Sequence, residues 1–257
     1  VDDVIAELEA KIALPFENQA LARRLQLKPK RGVLLAGPPG TGKTTIGRAL
    51  AHRLRSKFFL IDGTVVAGSR EFYTKVECVF AGAKRNAPSI IFIDDADVIF
   101  EEGNQGFYRY LLTMMDGLES ASADRVCVML TAMEVTSLPR AMLRSGRIEL
   151  WLHIGLPAED ARKEILREKL EALPQPLSEV DLAQLAQASR GLTGADLKAV
   201  VEDAKLLFAH DQVQEKHGVP IEQYFLRAIA GIRSNQANYR SRKGTSSLNT
   251  SIGYPIE

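Results

Sequence analysis

Short apolar runs alternate with longer amphipathic segments over the first 156 residues. The five runs are residues 32–36, 58–61, 90–93, 126–130 and 150–154. Each is apolar on both faces, which is typical of buried strands in a parallel sheet covered on both sides. The segments between them have helical spacing, as in Ile46, Ala49, Leu50 and Leu54. This alternation predicts an α/β domain, residues 1–156, with a five-stranded parallel sheet and helices on both faces.

The pattern changes after Pro157, where only helical periodicity continues. Thr193 and Asp196 have the spacing of a capping box at the start of an apolar stripe. The stripe consists of Leu197, Val200, Val201, Ala204 and Phe208. We therefore predict a small all-helical domain over residues 157–233. Residues 234–257 are polar and carry a basic cluster, so we expect a loosely ordered, solvated tail.

Composition excludes several classes of protein. Hydrophobic residues make up 46% of the 257-residue chain and charged residues 25%, with a net charge of +1. Without a basic field, nucleic acid is not an expected partner. No run approaches the roughly 18 apolar residues of a membrane helix, so we expect no membrane segment in this chain. Cys78 and Cys127 suggest no disulfide framework, and we expect an intracellular location, in the cytoplasm or inside an organelle.

A glycine-rich loop between the first strand and the first helix carries the clearest chemistry. Residues 37–44 match the pattern G-x-x-x-x-G-K-[ST]. The glycines let backbone N–H groups turn towards phosphate oxygens, and the helix adds its N-terminal partial charge. We predict that Lys43 reaches the β- and γ-phosphates of ATP and that Thr44 binds Mg²⁺. The predicted ATP-binding set is Gly37, Pro38, Pro39, Gly40, Thr41, Gly42, Lys43, Thr44 and Thr45.

Two adjacent acids complete the predicted site. Asp94 and Asp95 follow the apolar run at residues 90–93, about 50 residues after the loop. We predict that Asp94 holds Mg²⁺ through water and that Asp95 orients the water that attacks the γ-phosphate. Thr44 and Asp94 are then the metal site, while Lys43 and Asp95 act in catalysis.

Four further motifs carry a family resemblance. They are residues 86–89 (NAPS), 111–118 (LLTMMDGL), 143–147 (LRSGR) and 191–197 (GLTGADL). With the loop and the acids, they make the chain resemble the AAA family of ring-forming ATPases (AAA+ superfamily). It is similar to the valosin-containing-protein and FtsH modules of that family, from Val1 to about Ser234.

The resemblance implies an assembly and further site residues. It implies a hexameric ring with ATP between subunits, in which Arg144 and Arg147 reach the γ-phosphate of a neighbour. It also implies that Gly194 and Ala195 lie near the adenine. A protein substrate or adaptor is expected, and the ring can be homomeric or mixed with a related subunit.

The chain departs from the family pattern at three places. Asp95 stands where the family usually has Glu, so the carboxylate is drawn back by roughly 1 Å, a misplacement that can cost about 10²-fold in rate. Met133 stands where a polar residue, usually Asn, is expected, and Thr131 is a possible substitute on the same strand face. The segment Thr64–Ser69 has no aromatic residue, whereas substrate-threading members have one. Phe72 and Tyr73 follow at helical positions typical of core packing.

Two functions remain open. The first is an ATPase that splits ATP, with a reduced rate, and couples turnover to remodelling of a protein partner. The second is an ATP-binding assembly module, or a non-catalytic subunit of a mixed ring, that hydrolyses little. Lys43, Thr44, Asp94 and the two arginines favour the first function. Asp95, Met133 and the missing aromatic residue favour the second.

Overall fold

A parallel β-sheet is the centre of the first of two compact units. The computed structural model describes residues 2–27, 30–66, 71–100, 105–118, 125–143, 147–215 and 218–246. These residues form the units Val1–Gly155 and Leu156–Glu257. The strands are β1 (Gly32–Ala36), β2 (Lys57–Asp62), β3 (Ser89–Asp94), β4 (Val126–Ala132) and β5 (Leu150–His153). All neighbours are parallel, in the order β2-β3-β4-β1-β5.

The predicted five-stranded parallel sheet is confirmed, with one correction at its edges. Every residue of β1 and β4, and all of β3 except Asp94, is buried. Leu60 on β2 and Trp151 on β5 are 45% and 49% exposed. These strands were expected to be apolar and buried on both faces, which is wrong for both of them. The reason is that β2 and β5 are the outer strands of the sheet, with a neighbour on one side only.

One face of the sheet packs against the N-terminal helices and the helix that follows β1. These are α1 (Asp2–Leu8), a π-helical turn (Glu9–Ala13), α2 (Leu14–Glu17), α3 (Gln19–Arg24) and α4 (Lys43–Arg53). The shared core includes Leu8, Ile12, Phe16, Val33, Leu35, Leu50, Ile90 and Phe92. Ala49 was expected in the buried stripe of α4 but is exposed, and Gly47 is buried instead. A Cβ at Gly47 would lie 2.3 Å from the Phe92 ring, so glycine permits the close approach of α4 to β3.

The opposite face packs against the remaining helices of this unit. They are α5 (Gly63–Val66), α6 (Phe72–Arg85), α7 (Ala96–Ile99), α8 (Gln105–Asp116) and a short 3₁₀ helix (Val135–Ser137). The core on this side includes Phe72, Val76, Phe80, Leu111 and Met115 with Leu34, Ile91, Ile93, Val128 and Leu130. Successive residues of each central strand therefore alternate between the two cores, as the pleat of a strand requires.

All regular secondary structure among the described residues of the second unit is helical. It consists of α9 (Glu159–Leu170), α10 (Leu182–Ala188), α11 (Gly194–Val213) and α12 (Ile221–Ser246). Leu197, Val200, Val201 and Ala204 are buried as predicted, and the capping box of Thr193 and Asp196 is present. A loosely ordered tail was expected from residue 234, but α12 continues to Ser246, so that expectation is wrong for residues 234–246. None of the described helices is long and apolar enough to cross a lipid bilayer.

Candidate functional site

The carboxyl ends of β1, β3 and β4 bring the candidate residues together. On β3, Ile90 and Phe92 face the α4 side of the sheet, and on β4 Cys127 and Met129 do the same. The two-residue repeat of a strand places Asp94 and Thr131 next on that face. Ile93 and Leu130 are partners in the β3–β4 register, so Asp94 and Thr131 lie side by side, where α4 begins.

The glycine-rich loop connects β1 to α4 and leaves amide groups at the start of the helix. Gly42, the residue before α4, has φ of 92°, a left-handed conformation that suits glycine. The first bond of the helical ladder runs from the N–H of Ile46 to the carbonyl of Gly42, at 3.0 Å. The N–H groups of Lys43, Thr44 and Thr45 precede that bond, so the ladder does not use them. N–H groups in this position at the start of a helix are able to bind an anion.

Lys43 is folded back over the loop that precedes it. Its Nζ donates to the carbonyl of Gly37 at 2.7 Å and to that of Pro38 at 2.9 Å. The side chain is buried, and burial lowers its pKa, an effect that Asp95, Asp94 and Asp97 oppose through their charges. The ammonium group is therefore held in the loop by two carbonyl oxygens.

Thr44 and Asp94 are in direct contact. The hydroxyl of Thr44 donates to Oδ2 of Asp94 at 2.9 Å, which leaves the lone pairs of Thr44 Oγ1 available to a cation. An all-oxygen donor pair of this kind fits Mg²⁺, which usually takes one or two protein oxygens together with phosphate and water. Among the described residues, no group of three or more His, Cys, Asp or Glu side chains could hold a metal.

Thr131 contacts both acids. Its hydroxyl donates to Oδ1 of Asp94 at 2.6 Å and accepts the backbone N–H of Asp95 at 2.8 Å. Thr131 is completely buried. Both oxygens of the Asp94 carboxylate are thus bonded to hydroxyl groups, one from α4 and one from β4.

Asp95 follows in an unusual backbone conformation. Its φ and ψ are 47° and 50°, in the left-handed region, where a non-glycine residue is strained. Partial burial raises the pKa of its carboxyl group, and the charges of Asp94 and Asp97 raise it further, while Lys43 lowers it. The side chain is exposed, so solvent screens part of this effect.

Met133, which stands where a polar residue is expected, is held in place through its backbone. The N–H of Met133 donates to Oδ2 of Asp97 at 3.1 Å. The Met133 side chain is 59% exposed, so its apolar character serves no packing role in this unit. A thioether is at most a weak hydrogen-bond acceptor and cannot donate.

Of the two arginines in the LRSGR segment, the structure describes Arg147 but not Arg144. The guanidinium of Arg147 bonds to Asp116 at the end of α8 through two contacts, Nε–Oδ1 at 2.7 Å and Nη2–Oδ2 at 2.8 Å. A third contact joins Nη1 to the carbonyl of Ala141 at 2.8 Å. Reaching a neighbouring subunit would require Arg147 to share or leave these contacts.

Other residues named from the sequence lie at the start of α11 and at the start of α6. Gly194 and Ala195 begin α11 in the second unit, directly after the Thr193 cap. Phe72 is buried in the core as expected, while Tyr73 is 42% exposed and packs edge-on against Tyr110. Of the loop without an aromatic residue, residues 67–69 lie outside the described residues.

Two residues of the site were not predicted from the sequence. Asp97 bonds to the backbone of Met133, and Asp116 holds Arg147. The acid-rich run at residues 94–97 could have drawn attention to Asp97. Nothing in the local sequence distinguishes Asp116 from other helix-end acids, because its partner is 31 residues away.

Comparison with known proteins gives two family matches and several relatives. Residues 33–156 match the model of the "ATPase family associated with various cellular activities (AAA)", and residues 179–216 match that of the "AAA+ lid domain". The chain is 36% identical over 211 residues to the "ATPase family gene 2 protein" of Schizosaccharomyces pombe, covering 79% of the chain and 26% of the relative. It is 38% identical over 205 residues to the "Cell division cycle protein 48 homolog" of Archaeoglobus fulgidus, covering 76% and 27%. The chain thus spans about a quarter of the length of these curated relatives.

Proposed function

Because the chain belongs to the AAA family of ATPases, we propose that it binds ATP with Mg²⁺ at the Gly37–Thr45 loop and hydrolyses it at a reduced rate. Turnover would drive remodelling of a protein partner by a ring of such subunits, hexameric and either homomeric or mixed. The triphosphate would lie on the N–H groups at the start of α4, with Lys43 at the β- and γ-phosphates.

The contact between Thr44 and Asp94 carries this proposal. It joins the helix that follows the glycine-rich loop to the acidic strand at 2.9 Å, so the two residues that would hold the cation are in contact. When bound, Mg²⁺ would neutralise charge on the phosphates, with Thr44 as a ligand and Asp94 acting through water. Lys43, at the start of α4, donates to the carbonyl oxygens of Gly37 and Pro38, and on ATP binding its ammonium group would turn to the phosphates.

Hydrolysis would need three further residues. Asp95 would orient the attacking water, and its raised pKa favours proton acceptance. Arg144 and Arg147 of a neighbouring subunit would stabilise the negative charge of the transferring phosphoryl group, an effect worth about 10³- to 10⁵-fold in other NTPases. Gly194 and Ala195 would contact the adenine.

A second candidate function is an ATP-binding assembly module with little turnover. The observation that favours it is the side chain at position 133. Met133 is exposed and offers no polar group beyond its backbone, while the Asp95 carboxylate is one methylene shorter than that of a glutamate. Such a subunit would bind ATP, join a ring and lend Arg144 and Arg147 to a competent neighbour.

Two measurements on the same samples separate the candidates. Equilibrium titration with a fluorescent ATP analogue reports binding, and phosphate release over a series of protein concentrations reports turnover. The enzyme hypothesis predicts specific activity that rises as subunits assemble and disappears in Lys43→Ala. Tight binding with no phosphate release at any concentration would support the assembly module. Absence of binding, or binding equal in Lys43→Ala, would contradict both.

A further inference from the structure

The hydroxyl of Thr131 occupies a central place between the two acids. It is one of few polar side chains that are completely buried in the described residues. Its single proton goes to Oδ1 of Asp94, and its oxygen receives the N–H of Asp95. The hydroxyl thus donates one hydrogen bond and accepts another, and both partners belong to the acidic pair.

The two bonds act on different properties of the site. The bond to Oδ1 works with that from Thr44 to Oδ2. Bonds from two different elements to the two oxygens fix the plane of the carboxylate, which otherwise turns freely about its terminal torsion. The bond from the Asp95 N–H stabilises the left-handed backbone, and that backbone sets the direction in which the Asp95 side chain leaves the strand.

We propose that Thr131 is a positioning residue that presents the Asp94 carboxylate to Mg²⁺ and sets the direction of Asp95. It touches neither the cation nor the phosphates and acts through the two aspartates. The inference rests on the proposed function, since it assigns a residue to that same site. A buried hydroxyl that only satisfies its own hydrogen bonds would stabilise the unit without changing how the site responds to Mg²⁺.

The decisive variant is Thr131→Val, which keeps the branched shape and removes the hydroxyl. It leaves Oδ1 of Asp94 and the N–H of Asp95 without the hydroxyl to which both are bonded, at a position where the Thr131 side chain itself is completely buried. Loss of a hydrogen bond to a charged group weakens an equilibrium by about tenfold or more. We expect the affinity for ATP in the presence of Mg²⁺ to fall by about that factor, while the affinity in EDTA changes by less than about twofold.

Thr131→Ser and Ser89→Ala are the matched controls. Thr131→Ser keeps the hydroxyl and is expected to restore the response to Mg²⁺. Ser89→Ala removes another completely buried hydroxyl, at the start of β3, where it donates to the carbonyl of Ala83 at 2.8 Å. It is expected to lower the unfolding temperature without altering the ratio of the affinities with and without Mg²⁺.

For each variant, the ATP titrations with and without Mg²⁺ are accompanied by a thermal unfolding measurement on the same sample. Equal loss of affinity with and without Mg²⁺ in Thr131→Val, or no loss in either, would overturn the inference while leaving the proposed function intact. Should the valine variant not fold, Thr131→Cys replaces the hydroxyl by a weak donor, and a response to Mg²⁺ like that of the wild type would overturn the inference. A wild-type chain that binds no ATP would contradict the proposed function and this inference together.

Discussion

Arg147 and Asp116 form a bidentate salt bridge between the end of α8 and the segment before β5, with both nitrogen–oxygen distances under 3 Å. The arginine side chain is 20% exposed and the aspartate side chain 48%. The contact joins two of the motifs that carry the family resemblance, residues 111–118 and 143–147. In the isolated chain, Asp116 therefore holds a residue that is proposed to act on a neighbour.

The first prediction concerns this pair. Asp116→Asn should lower the free energy of unfolding by about 1 kcal/mol at neutral pH, the upper end for an exposed pair, because the fork geometry is good. The bond to Arg147 lowers the pKa of Asp116. A lowered pKa contributes stability above the unfolded value, near 3.9, that is lost as the pH falls through the folded value. Urea unfolding at several pH values should show the two proteins converging below about pH 4.

A double-mutant cycle with Arg147→Met gives the control. The coupling energy should account for most of the effect of Asp116→Asn. Additive effects would show that the contact contributes nothing in solution. If Asp116 also restrains Arg147 from acting on a neighbour, Asp116→Asn should change ATP turnover without changing ATP affinity.

The second prediction concerns Lys43. Lys43→Met should weaken ATP binding by about 10- to 100-fold, the range expected for a lost charge-assisted hydrogen bond. The measurement is equilibrium titration with a fluorescent ATP analogue. Lys57→Met, which changes an exposed lysine at the start of β2, is the control for the loss of one positive charge. Equal affinity in the wild type and Lys43→Met would show that the loop does not bind phosphate.

The third prediction follows from the raised pKa of Asp95. A carboxyl group whose folded pKa is raised favours folding below its unfolded pKa, near 3.9, and this contribution is lost as the pH rises through the folded value. Asp95→Asn should therefore be more stable than the wild type at pH 7 without nucleotide, and this advantage should shrink towards pH 4. Asparagine also tolerates the left-handed backbone better, but that part of the gain does not depend on pH.

Chemical unfolding at pH 4, 5.5 and 7 checks the third prediction. Asp97→Asn removes a negative charge near Asp95, but it also weakens the hydrogen bond from the N–H of Met133. Comparing its free energy of unfolding with that of Asp95→Asn shows whether the charge or this hydrogen bond contributes more to stability. An advantage of Asp95→Asn that is the same at all three pH values would contradict an electrostatic origin. Turnover should be lost in Asp95→Asn if Asp95 orients the attacking water.

The fourth prediction concerns Met133. Met133→Asn should raise the rate of ATP hydrolysis, because the backbone bond to Asp97 holds the position and an amide can bind water or phosphate there. Stability should change by less than about 0.5 kcal/mol, since the side chain is exposed. Met133→Leu, equally apolar, should leave the rate unchanged. Rates that are the same in all three proteins would show that position 133 does not limit hydrolysis.

Much of this architecture could be predicted from local patterns. The five strands and the helical second unit could be predicted from the spacing of apolar residues and from the short apolar runs. The meeting of Thr44 and Asp94 follows from the rule that parallel strands place their carboxyl ends at one edge. The helices of the first 24 residues were not predicted, although Leu8, Ile12 and Phe16 have helical spacing and are buried.

Other features depend on three-dimensional placement that no local pattern reports. The bonds of Thr131 need β3 and β4 in register, and the salt bridge of Arg147 needs α8 beside the segment that precedes β5. The exposure of Leu60 and Trp151 depends on which strands are outermost. That order is a property of the topology, since strands of similar sequence can be central or peripheral.

Phosphate release by the wild type at rising protein concentration, beside Asp95→Glu and Arg144→Ala, tests the central proposal of a slow ATPase most directly. We predict measurable turnover by the wild type that increases with assembly, a rate about 10- to 100-fold higher in Asp95→Glu because the carboxylate gains about 1 Å of reach, and no turnover in Arg144→Ala. No phosphate release by the wild type at any concentration, with turnover appearing only in Asp95→Glu, would contradict the proposal and identify an ATP-binding assembly module instead.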